Sequence, residues 1–213
     1  MFATDRDLIA FDPLLFEDYQ PRAQVLFQGE CNVIESALDI GGGIPDFTSQ
    51  RIGIGSVVLV GRTPLEVMKS LGPLSLSVSR IRPDGMGPLI MPENQSGISL
   101  SIVTFTAQLQ IVYFQLLRMA GIEPQLAGQP GQLTATMIMN PGALCTANIL
   151  GALSLIYLGA SAGQGADSSA AQRGLLYQRR FESEVERCIV HLDTNGDGRA
   201  DAIRKLSGGP MLR

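Results

Sequence analysis

The 213-residue chain has no tryptophan, one histidine and three cysteines, and only 17% of its residues are charged. The lone histidine, His191, falls at the end of a predicted helix, where it reads as a capping or packing residue rather than a catalytic base. Cys31, Cys145 and Cys188 are odd in number, widely spaced and match no metal or redox spacing. They read as small core residues in a reducing compartment. Residues Met1 to Asp7 lack a basic region followed by an apolar run, so no secretion signal is expected. Gly41-Gly42-Gly43 is not followed by Lys-Ser or Lys-Thr, and Gly53-Ile54-Gly55 has Val58 where a third glycine would be needed, so neither predicts a phosphate cradle. Glu182, Glu184 and Glu186 sit on a solvated helix face. No enzyme is expected.

What is present is globular. Hydrophobic residues make up 45% of the chain, which excludes global disorder, and 24 glycines with 12 prolines point to a loop-rich or β-rich portion. The length suits one large domain or two small ones. The net charge of −4 gives no general affinity for nucleic acid, but it is unevenly spread. Acids dominate before Phe47, against Arg6 and Arg22 alone, whereas Arg199, Arg204, Lys205 and Arg213 face only Asp201 near the end. An acidic front and a basic tail suit head-to-tail contact between copies, and ordinary surface charge would give the same pattern.

The pattern along the chain predicts four parts. Residues 1–23 form an N-terminal arm, with short helices at Asp5–Phe11 and Pro13–Tyr19 started by Thr4 or Asp5 and by Asp12-Pro13. Residues 24–103 are a β-rich module, a small barrel or sandwich. In it Leu74, Leu76 and Val78 alternate with serines, Ile98, Leu100 and Ile102 alternate likewise, and Arg82–Gly97 reads as an exposed loop. Residues 104–192 are a helical core of three helices. The first runs from Thr104 or Thr106 to Met119 with Gly121 as C-cap, and a polar, uncharged linker follows from Pro124 to Met139. The second starts at Asn140-Pro141, carries the small-residue stripe Ala143, Ala147 and Gly151, and ends at Gly163 and Gly165. The third, capped by Asp167 or Ser168, is expected to reach Leu192. It should bury Tyr177, Phe181, Val185, Cys188, Ile189 and Leu192 and pair Arg180 with Glu184 and Arg179 with Glu182. Residues 193–213 are an Asp-rich loop and an extended tail. The expected class is therefore α+β: an arm, a barrel or sandwich, and a C-terminal three-helix bundle with a tail.

No charged residue lies between Glu123 and Asp167. The second helix therefore needs cover from its own fold, from other subunits or from lipid. Gly142–Ala160 is long enough to span a bilayer, but Thr146, Asn148 and Ser154 lie within it and no Lys/Arg cluster flanks it. A buried helix of a soluble protein fits better, and a small membrane protein stands as an alternative.

Asp193-Thr194-Asn195-Gly196-Asp197-Gly198-Arg199-Ala200-Asp201 places oxygen-bearing side chains at positions one, three, five and nine, with glycine at six. A tight loop turns hard oxygens onto one ion by this spacing, so Asp193, Asn195, Asp197 and Asp201 are candidate Ca2+ ligands. Arg204 stands at the twelfth position, where a calcium sensor has a bidentate Glu. A metal-free Gly/Asn/Asp turn explains the same residues. A calcium-dependent surface or adhesion module is a further alternative.

The layout resembles the head–tail connector, or adaptor, proteins of tailed bacteriophages. The likeness rests on Ala3-Thr4-Asp5-Arg6-Asp7-Leu8-Ile9-Ala10 with Asp12-Pro13, on Gly151-Ala152-Leu153-Ser154-Leu155-Ile156-Tyr157 followed by Tyr177-Gln178-Arg179-Arg180-Phe181, and on the Asp-rich loop with its basic tail. The resemblance implies a homo-oligomeric ring, often dodecameric, under the portal protein, with tail or other neck proteins on its outer surface and DNA passing through the lumen without sequence recognition. It implies synthesis in the host cytoplasm, residence in the virion, no membrane and no cofactor. It also implies portal contacts by Arg204, Lys205, Leu206, Met211, Leu212 and Arg213.

Overall fold

The computed structural model describes residues 1–41, 47–124, 132–162 and 168–206. It is mixed α+β and divides into two units, one of Thr4–Thr106 and one of Met1–Ala3 with Ala107–Arg213.

In the first unit, α1 (Asp5–Phe11) begins where the Asp7 carboxylate accepts the Thr4 main-chain N–H and hydroxyl, both at 2.8 Å. A turn at 12–14 separates it from α2, which covers Leu15–Asp18, later than the Pro13 start read from the sequence. The arm buries Leu8, Ile9, Leu15 and Phe16 almost completely, and Phe16 meets Phe105 edge to face with centroids 5.1 Å apart.

Six antiparallel strands follow: β1 (Val25–Ile34), β2 (Ala37–Ile40), β3 (Val57–Val60), β4 (Thr63–Gly72), β5 (Ser75–Arg80) and β6 (Gln95–Val103). They close into a barrel in the order β1-β2-β5-β4-β3-β6, so a barrel is formed rather than a sandwich. The β3–β4 hairpin turns at Gly61-Arg62, with Gly61 at φ +62, the left-handed start that a two-residue hairpin turn needs. Period-two alternation sends Val33, Leu38, Val58, Leu76, Val78, Leu100 and Ile102 into the interior, as the alternating serine strands predict. The segment after β5 is mostly exposed, but it is pinned: Arg80 N–H donates to Ile90 C=O at 2.9 Å, and Arg82 Nη1 to Gly87 C=O at 2.6 Å.

Glu66, opposite in phase to Leu65 and Val67 on β4, is 2% exposed. Its Oε1 accepts the Arg82 main-chain N–H at 2.9 Å and Nε at 2.7 Å, and its Oε2 accepts Arg82 Nη2 at 3.2 Å and Arg6 Nε at 3.3 Å. Arg6 also reaches Asp7 at 3.1 Å and donates to the Arg82 carbonyl. Two guanidiniums and two carboxylates thus tie α1 to the barrel wall. Nearby, Asp5 Oδ1 accepts the Phe105 N–H at 2.8 Å and Oδ2 the Thr104 hydroxyl at 2.7 Å.

In the second unit, α3 (Thr106–Met119) ends as expected at Gly121, which has φ +72. A 3-10 turn over Pro141–Leu144 leads into α4 (Cys145–Ser161), and α5 runs from Ser169 to Arg187. The Ser168 hydroxyl caps α5 by accepting the Ala171 N–H at 3.2 Å. The expected stop at Gly163 and Gly165, and Asp167 as a cap, lie outside the described residues.

The third helix does not reach Leu192. It stops at Arg187, and β7 (Ile189–Leu192) pairs antiparallel with β8 (Ala202–Lys205). The period explains the difference: Cys188, Val190 and Leu192 are buried while Ile189 is 46% exposed, a two-residue alternation that a helical stripe would not give. The segment after the Asp-rich loop is accordingly a strand up to Lys205, and His191 lies on β7 rather than at a helix end. The expected pairs Arg180–Glu184 and Arg179–Glu182 are not within ion-pair distance among the described residues.

α4 is covered largely by its own unit. Ala147, Leu150, Gly151, Ala152, Leu153 and Ile156 are buried, and the Asn148 side-chain amide donates to Leu109 C=O at 2.9 Å. A Cβ at Gly151 would lie 2.7 Å from Val112 of α3 and 3.1 Å from Phe181 of α5, and one at Gly174 would lie 2.8 Å from Leu158. The small residues let three helices of one chain approach closely. Pro141–Ser161 meets the length and hydropathy of a bilayer span, with mean hydropathy 1.7, yet 61% of that window is buried inside the protein.

Two predictions concern the first unit. Glu66→Ala strands the buried Arg82 and the partly buried Arg6 and should cost about 3–5 kcal/mol in urea unfolding; a loss below about 1 kcal/mol would show that the cluster does not hold the arm. Burial raises the Asp5 pKa from 3.8 to about 6, with the Thr104 and Phe105 hydrogen bonds opposing the shift. Between those values the native state keeps a proton that the unfolded chain has lost, so stability falls as pH rises from 4 to 6, by about 3 kcal/mol from this group. Asp5→Asn should flatten that slope in pH-dependent unfolding.

Candidate functional site

Three features of the second unit carry the candidate chemistry: the β7–β8 loop, the end of β8 and a groove among the helices. The loop brings Asp193, Asn195, Asp197 and Asp201 together. Asp193 accepts the Gly196 N–H at 2.6 Å and the Gly198 N–H at 2.8 Å through its two oxygens. Asn195 Oδ1 accepts Asp197 N–H at 2.9 Å, and Asp197 Oδ1 accepts Arg199 N–H at 2.8 Å. Asp201 Oδ2 accepts the N–H groups of Thr194 and Asn195 at 2.9 and 3.2 Å, and the Thr194 hydroxyl at 3.0 Å. Gly196 and Gly198, at φ +79 and +82, give the backbone the turns this wrapping needs.

The N–H of Gly198, joined by those of Gly196, Asp197 and Asn195, holds the Asp193 carboxyl below its ordinary pKa, against slight desolvation. Chemically the loop offers hard oxygens of the kind calcium takes. In this structure those oxygens turn to the loop's own N–H groups. Among the described residues no three His, Cys, Asp or Glu side chains converge as a metal site. The twelfth position is out of reach altogether, since Arg204 lies on β8 and its Nη1 donates to Ala120 C=O at 2.6 Å, at the C-terminal end of α3.

That bond separates the residues expected to meet a portal. Arg204 is half-buried against α3, Leu206 is 1% exposed in the core with Val185, Cys188 and Val190, and Lys205 is exposed. Met211, Leu212 and Arg213 lie outside the described residues. Val190 and Arg204 are cross-strand partners, so the inward face of β8 is part of the unit's packing. The outward face carries Ile203, 67% exposed, beside His191 and near Ile189 and Lys205.

The groove, about 630 Å3, is bounded by Val112 and Met119 of α3, Leu155 and Leu158 of α4, and Phe181 and Val185 of α5, with Glu182 and Glu186 on its rim. Sequence reading assigned Phe181 and Val185 to a buried stripe and missed the groove. No sequence signal marked it, since Leu155, 38% exposed, is one of several leucines on an apolar helix.

The three cysteines carry no redox arrangement. None of the three is in a disulfide, and Cys31 and Cys188 are buried and Cys145 partly so. Burial raises the Cys31 thiol to about 11 and raises Cys188 as well, the latter helped by Glu184. No protein-family model, curated protein or solved structure matches the chain.

Proposed function

We propose that the chain is a structural subunit of a head–tail connector of the tailed-bacteriophage type, a non-enzymatic protein that works in the virion as a ring between portal and tail. The observation that carries this reading is the apolar surface of the helical unit. Ile111, Leu175, Leu176, Ile189 and Ile203 are between 46% and 67% exposed, and Leu155 opens into the groove. An apolar groove of this kind marks a surface that other protein covers; the first unit exposes large apolar residues as well, Ile34, Ile54 and Met86 among them. Under this proposal α3, α4 and α5 are the packed core of each ring subunit, and the barrel is a separate module for neck or tail partners. Lys205 and the residues after Leu206 meet the portal, while Arg204 and Leu206 hold the subunit together. Coverage of α4 within its own unit favours this over the membrane alternative.

Deleting 207–213 should leave the subunit folded by circular dichroism and abolish its recruitment to portal-bearing capsids. Recruitment at the full-length level would sink the docking assignment. Native mass spectrometry of the full chain should show a closed oligomer.

A second reading, a calcium-binding surface module, rests on the donor set of the β7–β8 loop. On that reading, calorimetric titration gives saturable heat that Asp197→Ala abolishes; silence at millimolar calcium leaves a metal-free turn.

A further inference from the structure

The β7–β8 hairpin has one covered edge and one open edge. On the β7 side, Met139 N–H donates to His191 C=O and Asp193 N–H to Met137 C=O, both at 2.9 Å. The Asn140 side chain accepts His191 N–H and donates to Ile189 C=O, both at 2.8 Å. Ile189, His191 and Asp193 thus turn their main chain away from β8, which leaves Val190 and Leu192 to bond to their partners Arg204 and Ala202. By the same alternation, the N–H and C=O of Ile203 and Lys205 point off the far side of β8. No strand pairs with them there among the described residues. Asp201 N–H turns inward to Leu192 C=O at 2.8 Å, so the open edge begins at Ile203. Ile203 is 67% exposed, with exposed Asp201 and Lys205 two residues to either side. Neither charge is in an ion pair among the described residues.

We propose that this edge pairs with the same edge of a second copy of this chain, antiparallel and centred on Ile203. The residues select the register. Centred there, the twofold sets Asp201 of each copy across from Lys205 of the other and brings the two Ile203 side chains together. Shifted to set Ile203 against Lys205, Arg204 meets Arg204; shifted to set it against Asp201, Arg199 meets Lys205. Asp201 directs its oxygens to loop N–H groups but keeps its charge, and Asp193 and Asp197 add acid at that end against Arg199. At the other end Arg204 adds to Lys205, with its guanidinium held at Ala120 C=O, while Glu186 and Arg187 leading into β7 offset each other. Ile203 of each copy gives and takes a main-chain hydrogen bond, which makes one four-stranded sheet with β8 beside β8. An open strand edge invites uncontrolled association, and a twofold closes it on itself. The pairing goes beyond the ring-subunit reading and does not rest on it. Under that reading Lys205 reaches the portal once the pair has opened, so the free subunit is held as a dimer.

The experiment is sedimentation equilibrium of the full-length protein. The wild type should be a dimer that weakens with salt. Ile203→Lys sets two cations on the twofold, and Lys205→Glu sets carboxylates against each other at both ends. Each should weaken the dimer at least about tenfold, with far-UV circular dichroism and the melting temperature at wild-type values. Ile203→Cys should crosslink to itself under mild oxidation, since directly paired residues lie about 5.5 Å apart at Cα, within disulfide reach. Ile189→Cys, one strand further out, should not. A wild type that stays monomeric at high concentration overturns the pairing. So does a dimer that neither charge substitution weakens and Ile203→Cys does not lock. Recruitment to portal-bearing capsids still decides the ring reading in either case.

Discussion

A carboxylate removed from water must be matched by cations, and the first unit is organised around that requirement at Glu66. Its two oxygens are taken up by the side chain and main chain of Arg82 and by Arg6. Arg82 comes from the segment after β5 and Arg6 from α1, so one strand residue fixes both elements against the barrel. Desolvating an ion pair is costly, so the pairing offsets that cost rather than adding much net stability, while removing one partner is strongly destabilising. Here the arrangement specified is the seating of the arm, whose Leu8, Ile9, Leu15 and Phe16 are then buried. Asp5 adds a second tether without a cation, accepting from Thr104 and Phe105 while burial penalises its charge and raises its pKa.

The second unit solves a different problem. Its α4 has no charge to offer water and is covered chiefly by α3 and α5. Gly151 and Gly174 allow this, because a methyl group at either would press on Val112 or Leu158. The β7–β8 hairpin completes the cover, delivering Val190, Leu192 and Leu206 to the same core. Arg204 locks the hairpin to the end of α3 through Ala120 C=O. What remains apolar and exposed is therefore not the charge-free helix as a whole but a groove beside it and single residues on α3, α5 and the hairpin.

Much of the fold was legible in local pattern. The alternating serine strands marked the barrel's inner face, the Asn140-Pro141 and Gly121 signals marked helix limits, and α1 falls on Asp5–Phe11. The third helix was misread at its end because Cys188 and Leu192 fit a helical spacing as well as a strand one. Buried Val190 and exposed Ile189 separate the two. The candidate metal residues were legible as a loop. That their oxygens face the loop's own N–H groups depends on main-chain geometry that no residue spacing encodes.

By itself, the sequence determined where the chain turns, which residues must leave water and which helix carries no charge, because propensity, capping and periodicity act over a few residues. Only the tertiary structure decided what each of those residues meets. Glu66 found its arginines across long stretches of chain, Arg204 was drawn from a supposed docking tail into capping a helix, and α4 found its cover at home. Contacts between residues distant in sequence are settled by packing and desolvation of the whole unit.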